Sequence, residues 1–468
     1  MQVLLLRPYP KNSVCSSVPP LGLGYVAAAL LRAGIEVEIL DRGNRTLGEA
    51  EFRARLRGAR PDLVGVQVHS RDVDQSAEMI RETREVVGDR VPIVVGGPHP
   101  SGMPTEVFDH LPGIDYAIVG EGEWSLPLLA RHVAGDPSVA REAIPGLAWR
   151  ADGRVAVNPP VFPDDLDALG FPAWDVMRLA GYRTEVFGGG FTRRTPAMTM
   201  LTSRGCPYRC AFCVVGALCG PRLRLRDPER VVEEMHQLRD GRGFQELKIL
   251  DDNFNADRRH VLAIGEAFRR RPADVSISFA CGLHLHGIDD EVLDVLQSMG
   301  AYELMVAIES GSPRVLGLMN KNVDLGTVAE KIATIRRHGL GVAAFFIIGF
   351  PGETPEEIER TVRLSLALPL DRAHYNCFSP VPGSEIYDEL RAAGRLEDFD
   401  ARYVHFETIH YSFVEGLSPA RLNRLRQKAL LRFYLRPRVL LGLARVFRRW
   451  TSAAFLARKA AEYFGLVK

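Results

Sequence analysis

Short apolar runs alternate with amphipathic stretches along the first 135 residues. The runs have the length of buried strands, and the stretches between them carry apolar positions at helical spacing. This alternation predicts an α/β fold with an open, doubly wound (Rossmann-like) parallel sheet in residues 1–135. The predicted strands are Val3–Leu6, Val37–Leu40, Leu63–Val68, Ile93–Val95 and Tyr116–Val119, and the clearest helices are Leu21–Leu31 and Val73–Val87.

The predicted carboxyl ends of these strands carry small and glycine-rich segments. Ligands of open α/β sheets bind in a crevice beyond that edge. Glycine there lets a bulky ligand approach the backbone closely. The segments are VHS at 68–70, GGPHP at 96–100 and GEGE at 120–123.

Residues 136–194 are rich in Pro, Gly and Asp without a sustained period, which predicts a linker. A second alternating series follows in residues 195–390. Helix starts are marked by Asp227-Pro228 and by the capping box Thr354–Glu357. Six strand–helix units are fewer than a complete eight-stranded barrel needs, so a partial (β/α)6 barrel is predicted. Its strands are Met198–Thr202, Leu247–Leu250, Ile277–Ala280, Leu304–Ile308, Ala343–Ile348 and His374–Phe378.

The C-terminal region, residues 391–468, ends in a basic tail that is predicted to be helical. The whole chain has 59 basic and 58 acidic residues, but thirteen basic residues and one acid lie between Gly416 and Lys468. Basic residues interleaved with apolar ones at helical spacing suit an anionic membrane surface. The same pattern fits a helix that packs its apolar side on the barrel, and phosphate binding needs only basic residues. Nothing else indicates base recognition, so no nucleic-acid partner is expected.

No apolar stretch reaches the roughly 18 residues that span a bilayer, and the N-terminal run is too short for a secretion signal. The protein is therefore expected in the cytoplasm, either free or peripheral on the inner face of the membrane. The seven cysteines are odd in number and clustered. In a reducing compartment such clustering indicates a metal site or catalysis rather than disulfides.

The segment RGCPYRCAFC places Cys206, Cys210 and Cys213 on a loop after a predicted strand. Three thiolates so close together can converge on one metal centre. A structural zinc site needs a fourth ligand, which Cys219 is placed to supply. Three thiolates can instead hold an iron–sulfur cluster and leave one iron open for chemistry.

The CxxxCxxC spacing, with Phe212 before the last cysteine, resembles the radical S-adenosylmethionine (SAM) superfamily. The segments LDDNFNAD, AIESGSPRVLGLMNKN, FIIGFPGET and SPVPGSEIYDEL strengthen the resemblance, which covers about residues 195–390. It implies a four-iron four-sulfur (4Fe-4S) cluster bound by Cys206, Cys210 and Cys213, the catalytic ligands. Its open iron would bind SAM, whose reductive cleavage yields a 5′-deoxyadenosyl radical.

The same resemblance implies the residues that bind SAM. Each also has a structural interpretation, as a turn or a helix cap. The implied residues are Phe212 and Gly349–Gly352 near the adenine, Asp251, Asp252 and Asn253 at the methionyl amino group, and Glu309 and Ser310 at the ribose or carboxylate.

The segments RPYP, PPLGLGYVAAALLRAG, PDLVGVQ, VVGGPHP and DYAIVGEGE resemble the cobalamin-binding class of that superfamily. The chain lacks the Asp-x-His-x-x-Gly motif through which a protein histidine ligates cobalt. The resemblance therefore implies cobalamin without that histidine ligand. The implied cobalamin contacts are Ser70, Gly96, Gly97, His99, Gly120 and Glu121, for which the alternative is a tight turn.

The resemblance implies methylation of an unactivated carbon through the 5′-deoxyadenosyl radical and methylcobalamin. The expected substrate is a small lipid-like or secondary-metabolite molecule, and the expected electron donor is a reductase, a flavodoxin or a ferredoxin. The same cofactors also serve cyclisation, ring rearrangement or oxidation without methyl transfer. A non-catalytic cobalamin or redox sensor is a third alternative, which the intact cysteine triplet disfavours.

Overall fold

Two sheets, one of seven strands and one of six, organise the chain. The computed structural model describes residues 1–9, 19–44, 46–182, 186–187, 190–404 and 410–447. Cys15 and the last part of the basic tail, residues 448–468, lie outside the described residues. None of the helices in the described part of the chain combines the length and apolar character needed to cross a membrane.

The N-terminal sheet has the strand order β2-β1-β3-β4-β5-β6-β7. Its first five strands pair in parallel, which confirms the predicted doubly wound fold. These strands are β1 (Gln2–Arg7), β2 (Glu36–Asp41), β3 (Leu63–Gln67), β4 (Ile93–Gly96) and β5 (Tyr116–Ile118).

The prediction that residues 136–194 form only a linker is wrong for their first part. Strands β6 (Leu147–Ala151) and β7 (Arg154–Val157) extend the N-terminal sheet in antiparallel fashion. Their turn is Asp152-Gly153, with φ of 49° and 75°. An Asp-Gly pair is the residue combination that two-residue hairpin turns prefer. A hairpin therefore ends the N-terminal domain, at about residue 157.

Helices cover both faces of this sheet because its central strands are apolar throughout. Val3, Leu4, Leu5 and Leu6 are all buried, and successive side chains point to opposite faces. Helices α1 and α6 share one core with Leu5, and α2, α3 and α5 share another with Leu4. The helices are α1 (Leu21–Arg32), α2 (Glu49–Gly58), α3 (Val73–Val87), α4 (Pro98–Gly102), α5 (Val107–His110) and α6 (Gly122–Val133).

Two short hairpins flank the first strand of the second sheet. Strands β8 (Val186–Phe187) and β9 (Gly190–Phe191) form the hairpin before it. After that strand, β10 (Ala197–Met200), come β11 (Ser203–Arg204) and β12 (Arg224–Leu225), which pair with each other in antiparallel fashion. The chain between β11 and β12 contains the cysteine triplet and α7 (Val215–Cys219).

The six-stranded sheet is the predicted partial barrel, with all six strands in parallel register and in chain order. After β10 its strands are β13 (Glu246–Ile249), β14 (Ser276–Phe279), β15 (Ala301–Glu309), β16 (Gly341–Ile348) and β17 (Arg372–Cys377). The connecting helices are α8 (Pro228–Arg242), α9 (Arg258–Arg270), α10 (Asp290–Ser298), α11 (Pro313–Leu318), α12 (Leu325–Arg337) and α13 (Pro355–Ala367).

The predicted helix starts are confirmed. The carboxylate of Asp227 accepts hydrogen bonds from the backbone N–H groups of Glu229 and Arg230 at the start of α8. Thr354 and Glu357 form the reciprocal capping box of α13. Both devices satisfy N–H groups that a helix leaves without partners in its first turn.

The barrel strands alternate between an apolar side and a polar side. Leu247 and Ile249 of β13 belong to the core shared with the helices. Glu246 and Lys248, on the other side, face the inside of the barrel, where Lys248 Nζ lies 2.9 Å from a carboxylate oxygen of Glu246. Arg372 and Glu303 pair in the same layer. Charged pairs therefore close the amino end of the barrel and leave its carboxyl end for ligands.

The C-terminal region packs along the last barrel strand. It contains α14 (Glu385–Ala392), α15 (Pro419–Tyr434) and α16 (Pro437–Phe447). Leu422, Leu430 and Phe433 of α15 are buried in the main core, and Arg426 Nε donates to the backbone oxygen of Tyr375 at 2.8 Å. The first helix of the basic tail is thus part of the barrel, as one of the two main sequence interpretations holds.

Candidate active site

The carboxyl ends of the two parallel sheets face each other across a cavity of about 380 Å³. This volume lies within the range of ordinary ligand pockets. The N-terminal domain contributes the ends of β3, β4 and β5, and the barrel contributes the residues after β10 and β13. The barrel residues on the wall are Leu201, Arg204, Cys219, Leu250 and Asp252.

The cysteine loop, residues 205–214, follows β11 and is held by backbone hydrogen bonds on two sides. The N–H of Ala211 donates to the oxygen of Met319 at 2.9 Å, and the N–H of Ile386 donates to the oxygen of Ala211 at 3.0 Å. Within the loop, the N–H of Cys213 donates to the oxygen of Cys210 at 2.9 Å. The loop is therefore fixed by the ends of α11 and the start of α14, without help from a disulfide.

The three predicted cluster ligands are free thiols on this one loop. Burial raises the pKa of Cys210. In the described residues no three His, Cys, Asp or Glu side chains converge as ligands of a single metal ion. A cluster of several irons is wider than one ion, so its thiolates stand further apart. Three soft sulfur donors on one loop fit such a cluster.

Cys219, the fourth thiol considered for zinc, lies at the end of α7 and on the cavity wall. Its backbone oxygen accepts a hydrogen bond of 2.9 Å from Arg224 Nη2. Burial raises the pKa of its thiol to about 12. Cys219 therefore stands on the cavity wall, outside the loop of residues 205–214 that carries the other three thiols.

Asp251, one of the three residues predicted at the methionyl amino group, is engaged by the protein itself in this structure. Its buried carboxylate accepts hydrogen bonds from the N–H and hydroxyl of Thr202, at 2.7 and 2.5 Å, and from Ser203 Oγ at 2.6 Å. Burial, only partly opposed by these hydrogen bonds, raises the pKa of Asp251 to about 6. Asp251 therefore holds the turn between β10 and β11.

Asp252 and Asn253 do lie at the cysteine loop. A carboxylate oxygen of Asp252 accepts a hydrogen bond of 2.9 Å from the N–H of Gly205, and Asn253 Nδ2 lies 3.7 Å from Cys206 Sγ. The Oδ1 atom of Asn253 is buried without a hydrogen-bond partner among the described residues. This acceptor beside the first cysteine suits an amino group such as the one predicted.

Glu309 ends β15 in the left-handed region, with φ of 66°, a conformation that costs free energy for any residue but glycine. Its carboxylate lies 3.5 Å from Lys321 Nζ, and both side chains are buried. Burial alone lowers the pKa of Lys321, but attraction by Glu309 and by the thiol of Cys210 outweighs it, so the pKa is raised.

Sequence analysis missed Lys321, although the segment that contains it was quoted. A buried ammonium beside Cys210 and Glu309 has the charge that would pair with the carboxylate of a ligand. Lys321 stands alone in the segment MNKN, six residues after Val315, the first buried residue of α11. A single lysine in a polar segment does not indicate burial before the fold is known.

The other predicted SAM contacts lie at the same mouth but in packing roles. Ser310 Oγ hydrogen-bonds with Thr361 Oγ1 at 3.3 Å. A Cβ built on Gly349, whose φ is 90°, would come within 2.6 Å of Leu422 of α15. Phe212 packs against an apolar cluster that contains Phe350, Phe378 and Phe413. The adenine and ribose contacts of these residues stay predictions.

Glycines form the N-terminal edge of the cavity, so no side chains fill the space beside it. Gly96, Gly97 and Gly120 line it, and a Cβ built on Gly96 would meet no atom within 4 Å. The Oε1 atom of Gln67, on the same wall, is buried without a hydrogen-bond partner in the described part of the chain. No histidine of the described residues lines this cavity. Open space beside glycines and an unsatisfied amide fit a bulky polar ligand such as the predicted cobalamin.

Ser70 and His99 are not brought to this cavity. His99 is fully buried, with Nδ1 3.1 Å from Ser70 Oγ and Nε2 3.1 Å from His110 Nδ1. Burial, reinforced by His110, lowers the pKa of His99 to about 4. The pair links the turn after β3 to α4, and the cobalamin contacts of Ser70 and His99 stay predictions.

Glu121 lines the cavity, but its carboxylate is occupied by two arginines of the barrel. Arg224 binds it through both terminal nitrogens, at 2.5 and 3.0 Å, and Arg204 Nη1 lies 3.1 Å away. Arg204 Nη2 also donates to Glu123 at 2.7 Å. We call Glu121, Glu123, Arg204 and Arg224 the ionic quartet. Glu121 is thus a domain contact rather than a free ligand group, and its two arginine partners were not predicted from the sequence.

Comparison with known proteins identifies the two units separately. Residues 11–130 match the B12 binding domain and residues 200–365 match the radical SAM superfamily. A methyltransferase of Pyrococcus horikoshii described as uncharacterized is 28% identical over 94% of both chains. Cytidylyl-2-hydroxyethylphosphonate methyltransferase of Streptomyces wedmorensis is 30% identical over 86% of this chain and 84% of its own.

Two further comparisons bear on fold and on reaction. The structure of the radical SAM methyltransferase TsrM of Kitasatospora setae, with cobalamin and a [4Fe-4S] cluster bound, has a TM-score of 0.68. It is 22% identical and covers 84% of this chain and 78% of its own. An anaerobic magnesium-protoporphyrin IX monomethyl ester cyclase of Cereibacter sphaeroides is 26% identical over 84% of this chain and 64% of its own.

Proposed function

Because the chain belongs to the cobalamin-binding class of radical SAM enzymes, we propose that it methylates an unactivated carbon of a small molecule. The observation that carries this proposal is the shared cavity. Its walls come from the glycine-rich edge of the N-terminal sheet and, on the barrel side, from residues that border the cysteine loop, among them Arg204 and Asp252. A ligand of the first domain would thus lie beside the loop that binds the cluster, as chemistry with two cofactors requires.

The residues for each cofactor follow from the geometry. Cys206, Cys210 and Cys213 would bind the cluster, and Gly96, Gly97 and Gly120 would admit cobalamin. Lys321 and Glu309 supply an ammonium and a carboxylate beside Cys210, complementary to the carboxylate and amino group of SAM. When bound, the cluster and SAM supply a one-electron route to a hydrogen-abstracting radical, and cobalamin supplies a methyl carrier.

The substrate would enter from the carboxyl end of the barrel, because buried charged pairs close the other end. Apolar residues Leu201 and Leu250 line the cavity from the barrel side, and Phe350 and Phe378 pack near the loop. These surfaces exclude water from a reacting carbon, which protects a radical from side reactions. They suit an apolar part of the substrate and agree with the lipid-like or secondary-metabolite class.

The test is the mass of the product formed by anaerobically reconstituted enzyme with SAM carrying a deuterated methyl group. Methylation predicts a product that has gained the labelled methyl group, together with S-adenosylhomocysteine and 5′-deoxyadenosine. The cyclase among the relatives favours one second candidate, cyclisation or oxidation without methyl transfer. That reaction would give 5′-deoxyadenosine and a product lacking the label, and it would overturn the methylation proposal.

We also propose that a small acidic electron donor, a flavodoxin or ferredoxin, binds at the outer side of the cysteine loop. Cys213 is exposed there, and so are Pro207 and Arg209. An exposed cationic side chain beside the cluster loop complements an acidic partner. Arg209→Glu should then raise the donor concentration needed for half-maximal reduction, whereas reduction by a small chemical reductant should not change.

The tail supports a peripheral membrane position for the enzyme. Leu435, Leu440 and Leu441 are 46–63% exposed at the elbow between α15 and α16, in a segment with almost no acidic residues. Apolar side chains among arginines bind anionic membranes by burying apolar area and by electrostatic attraction to the lipids. Replacing these leucines by serine should abolish co-sedimentation with phosphatidylglycerol vesicles. The control is Val161→Ser, 51% exposed in the N-terminal part of the linker, and equal binding of both variants contradicts the proposal.

A further inference from the structure

The ionic quartet lies between the glycine-rich edge of the cavity and the cysteine loop, and its charged groups are paired with one another. Glu121 and Glu123 stand at the start of α6, next to the glycine-rich edge of the cavity. Arg204 precedes Cys206 by two residues, and Arg224 is its direct partner across β11 and β12. The quartet therefore joins the wall of one site to the first residues of the other.

The hydrogen bonds of the quartet constrain the relative orientation of the two parts that it joins as well as the distance between them. Arg224 binds Glu121 through two nitrogens, and the two terminal nitrogens of Arg204 contact Glu121 and Glu123. Planar guanidinium groups with two-point contacts constrain orientation in a way that a single ammonium cannot. The guanidinium of Arg204 also lies 4.9 Å from the ring centre of Tyr25 on α1, which holds it from the third side.

Stability alone is a poor explanation for this arrangement. The side chains of the quartet are at most 10% exposed. Removing four charges from water costs free energy that their attraction only roughly offsets, and well-packed apolar residues often do as well. In some proteins a buried polar or ionic group fixes one arrangement of the parts that it joins, where an apolar contact would allow several.

We infer that the ionic quartet consists of positioning residues that set the cysteine loop against the cobalamin-side cavity wall. This inference rests on the proposed two-cofactor function for its chemical consequence, but not for its structural one. A displacement of the reacting groups by about 1 Å can cost about a hundredfold in rate. Loosening the quartet should therefore uncouple methyl transfer from SAM cleavage before it affects either binding site.

The chain offers a matched control. Glu234 is fully buried and pairs with Arg226 through a short contact, but this pair lies within the barrel between α8 and the segment after β12. Glu234→Gln removes the same kind of charge as Glu121→Gln. It does so without removing a hydrogen bond or an ion pair of the quartet.

The experiment compares Glu121→Gln, Glu123→Gln and Glu234→Gln in the full-length protein with cluster and cobalamin. We expect the ratio of methyl transfer to 5′-deoxyadenosine formation to fall at least tenfold in Glu121→Gln and less in Glu123→Gln. The spin–spin coupling between the reduced cluster and cob(II)alamin should change in the same order. Glu234→Gln should keep the wild-type ratio and coupling.

Hydrogen exchange separates the failure of this inference from the failure of the proposed function, because it needs no turnover. Exchange in residues 203–213 and 119–126 should rise in both quartet variants but not in Glu234→Gln, even if no methylated product is found. Should Glu121→Gln fail to fold, Glu123→Gln, which removes only one contact of Arg204, provides the test. Unchanged exchange and coupling in folded quartet variants, or equal changes in Glu234→Gln, would overturn the inference.

Discussion

The barrel mouth and the edge of the N-terminal sheet are both carboxyl ends of parallel strands, but they form their halves of the site in opposite ways. At the barrel mouth, side chains form the site: three thiols, the Glu309–Lys321 pair and the amide of Asn253. At the sheet edge, Gly96, Gly97 and Gly120 contribute space. Removing a side chain should therefore impair cofactor binding at the mouth, and adding a side chain should impair cofactor binding at the edge.

The largest effect is expected from removing a thiol at the mouth. Cys210→Ala should eliminate the iron–sulfur absorbance and lower 5′-deoxyadenosine formation at least about a thousandfold, because a ligand of the reactive centre is lost. Cys219→Ala is the matched control, since Cys219 lies six residues beyond Cys213 in the same segment. Iron content and absorbance of both variants are the measurement. Loss of iron in Cys219→Ala would contradict the three-ligand assignment.

Adding a side chain at the edge is the complementary test. A Cβ on Gly96 meets no atom within 4 Å and the residue lines the cavity, so Gly96→Leu should fold and lose cobalamin affinity at least about tenfold. Gly58→Leu is the control, because a Cβ there also meets nothing within 4 Å but lies at the end of α2, far from the edge. Bound cobalamin is read from the visible spectrum after anaerobic gel filtration. Equal cobalamin in both variants would show that the edge does not receive the cofactor.

A smaller effect is expected from Lys321. Lys321→Met should weaken SAM binding about a hundredfold and Lys321→Arg much less, because truncating one partner of a buried charge pair costs roughly 2–5 kcal/mol. Equilibrium dialysis with labelled SAM on cluster-loaded protein measures both variants. Equal SAM affinity of Lys321→Met and Lys321→Arg would show that Lys321 does not act through its charge.

The smallest effect concerns Asp251, which supports the mouth from below. Its pKa is raised from 3.8 to about 6 by burial, so the folded chain binds a proton that the unfolded chain has released. The wild-type free energy of unfolding should therefore fall by about 2–3 kcal/mol as the pH rises from 4 to 7, relative to Asp251→Asn. Urea unfolding of both proteins across this range measures the difference. A constant difference between them would refute the raised pKa.

The strands and the cysteine loop were predictable because their signals are local. Leu247 and Ile249 alternate with polar neighbours, and Cys206, Cys210 and Cys213 are close in sequence. The hairpin of β6 and β7 also carried a local signal, Asp152-Gly153, in a segment whose Pro and Gly content pointed to a linker. Local patterning thus accounts for most of the fold and for the cluster ligands.

The contacts that join the domains were not predictable in the same way. Glu121 looks like a ligand group until the fold brings Arg204 and Arg224, some eighty and one hundred residues later, against it. Lys321 likewise gives no sign of burial before α11 is packed. Pairings over long separations leave no periodic pattern in one sequence, so side chains that meet across domains escaped the prediction.

The central claim is that one chain uses both halves of this site to transfer a methyl group. Its most direct test needs no knowledge of the substrate. Anaerobic enzyme loaded with cobalamin and cluster is mixed with excess SAM and a strong reductant, and S-adenosylhomocysteine and 5′-deoxyadenosine are quantified together. Both products are expected in the wild type, with loss of S-adenosylhomocysteine in Gly96→Leu and loss of 5′-deoxyadenosine in Cys210→Ala. Formation of 5′-deoxyadenosine with no S-adenosylhomocysteine, with or without candidate substrates, would contradict it.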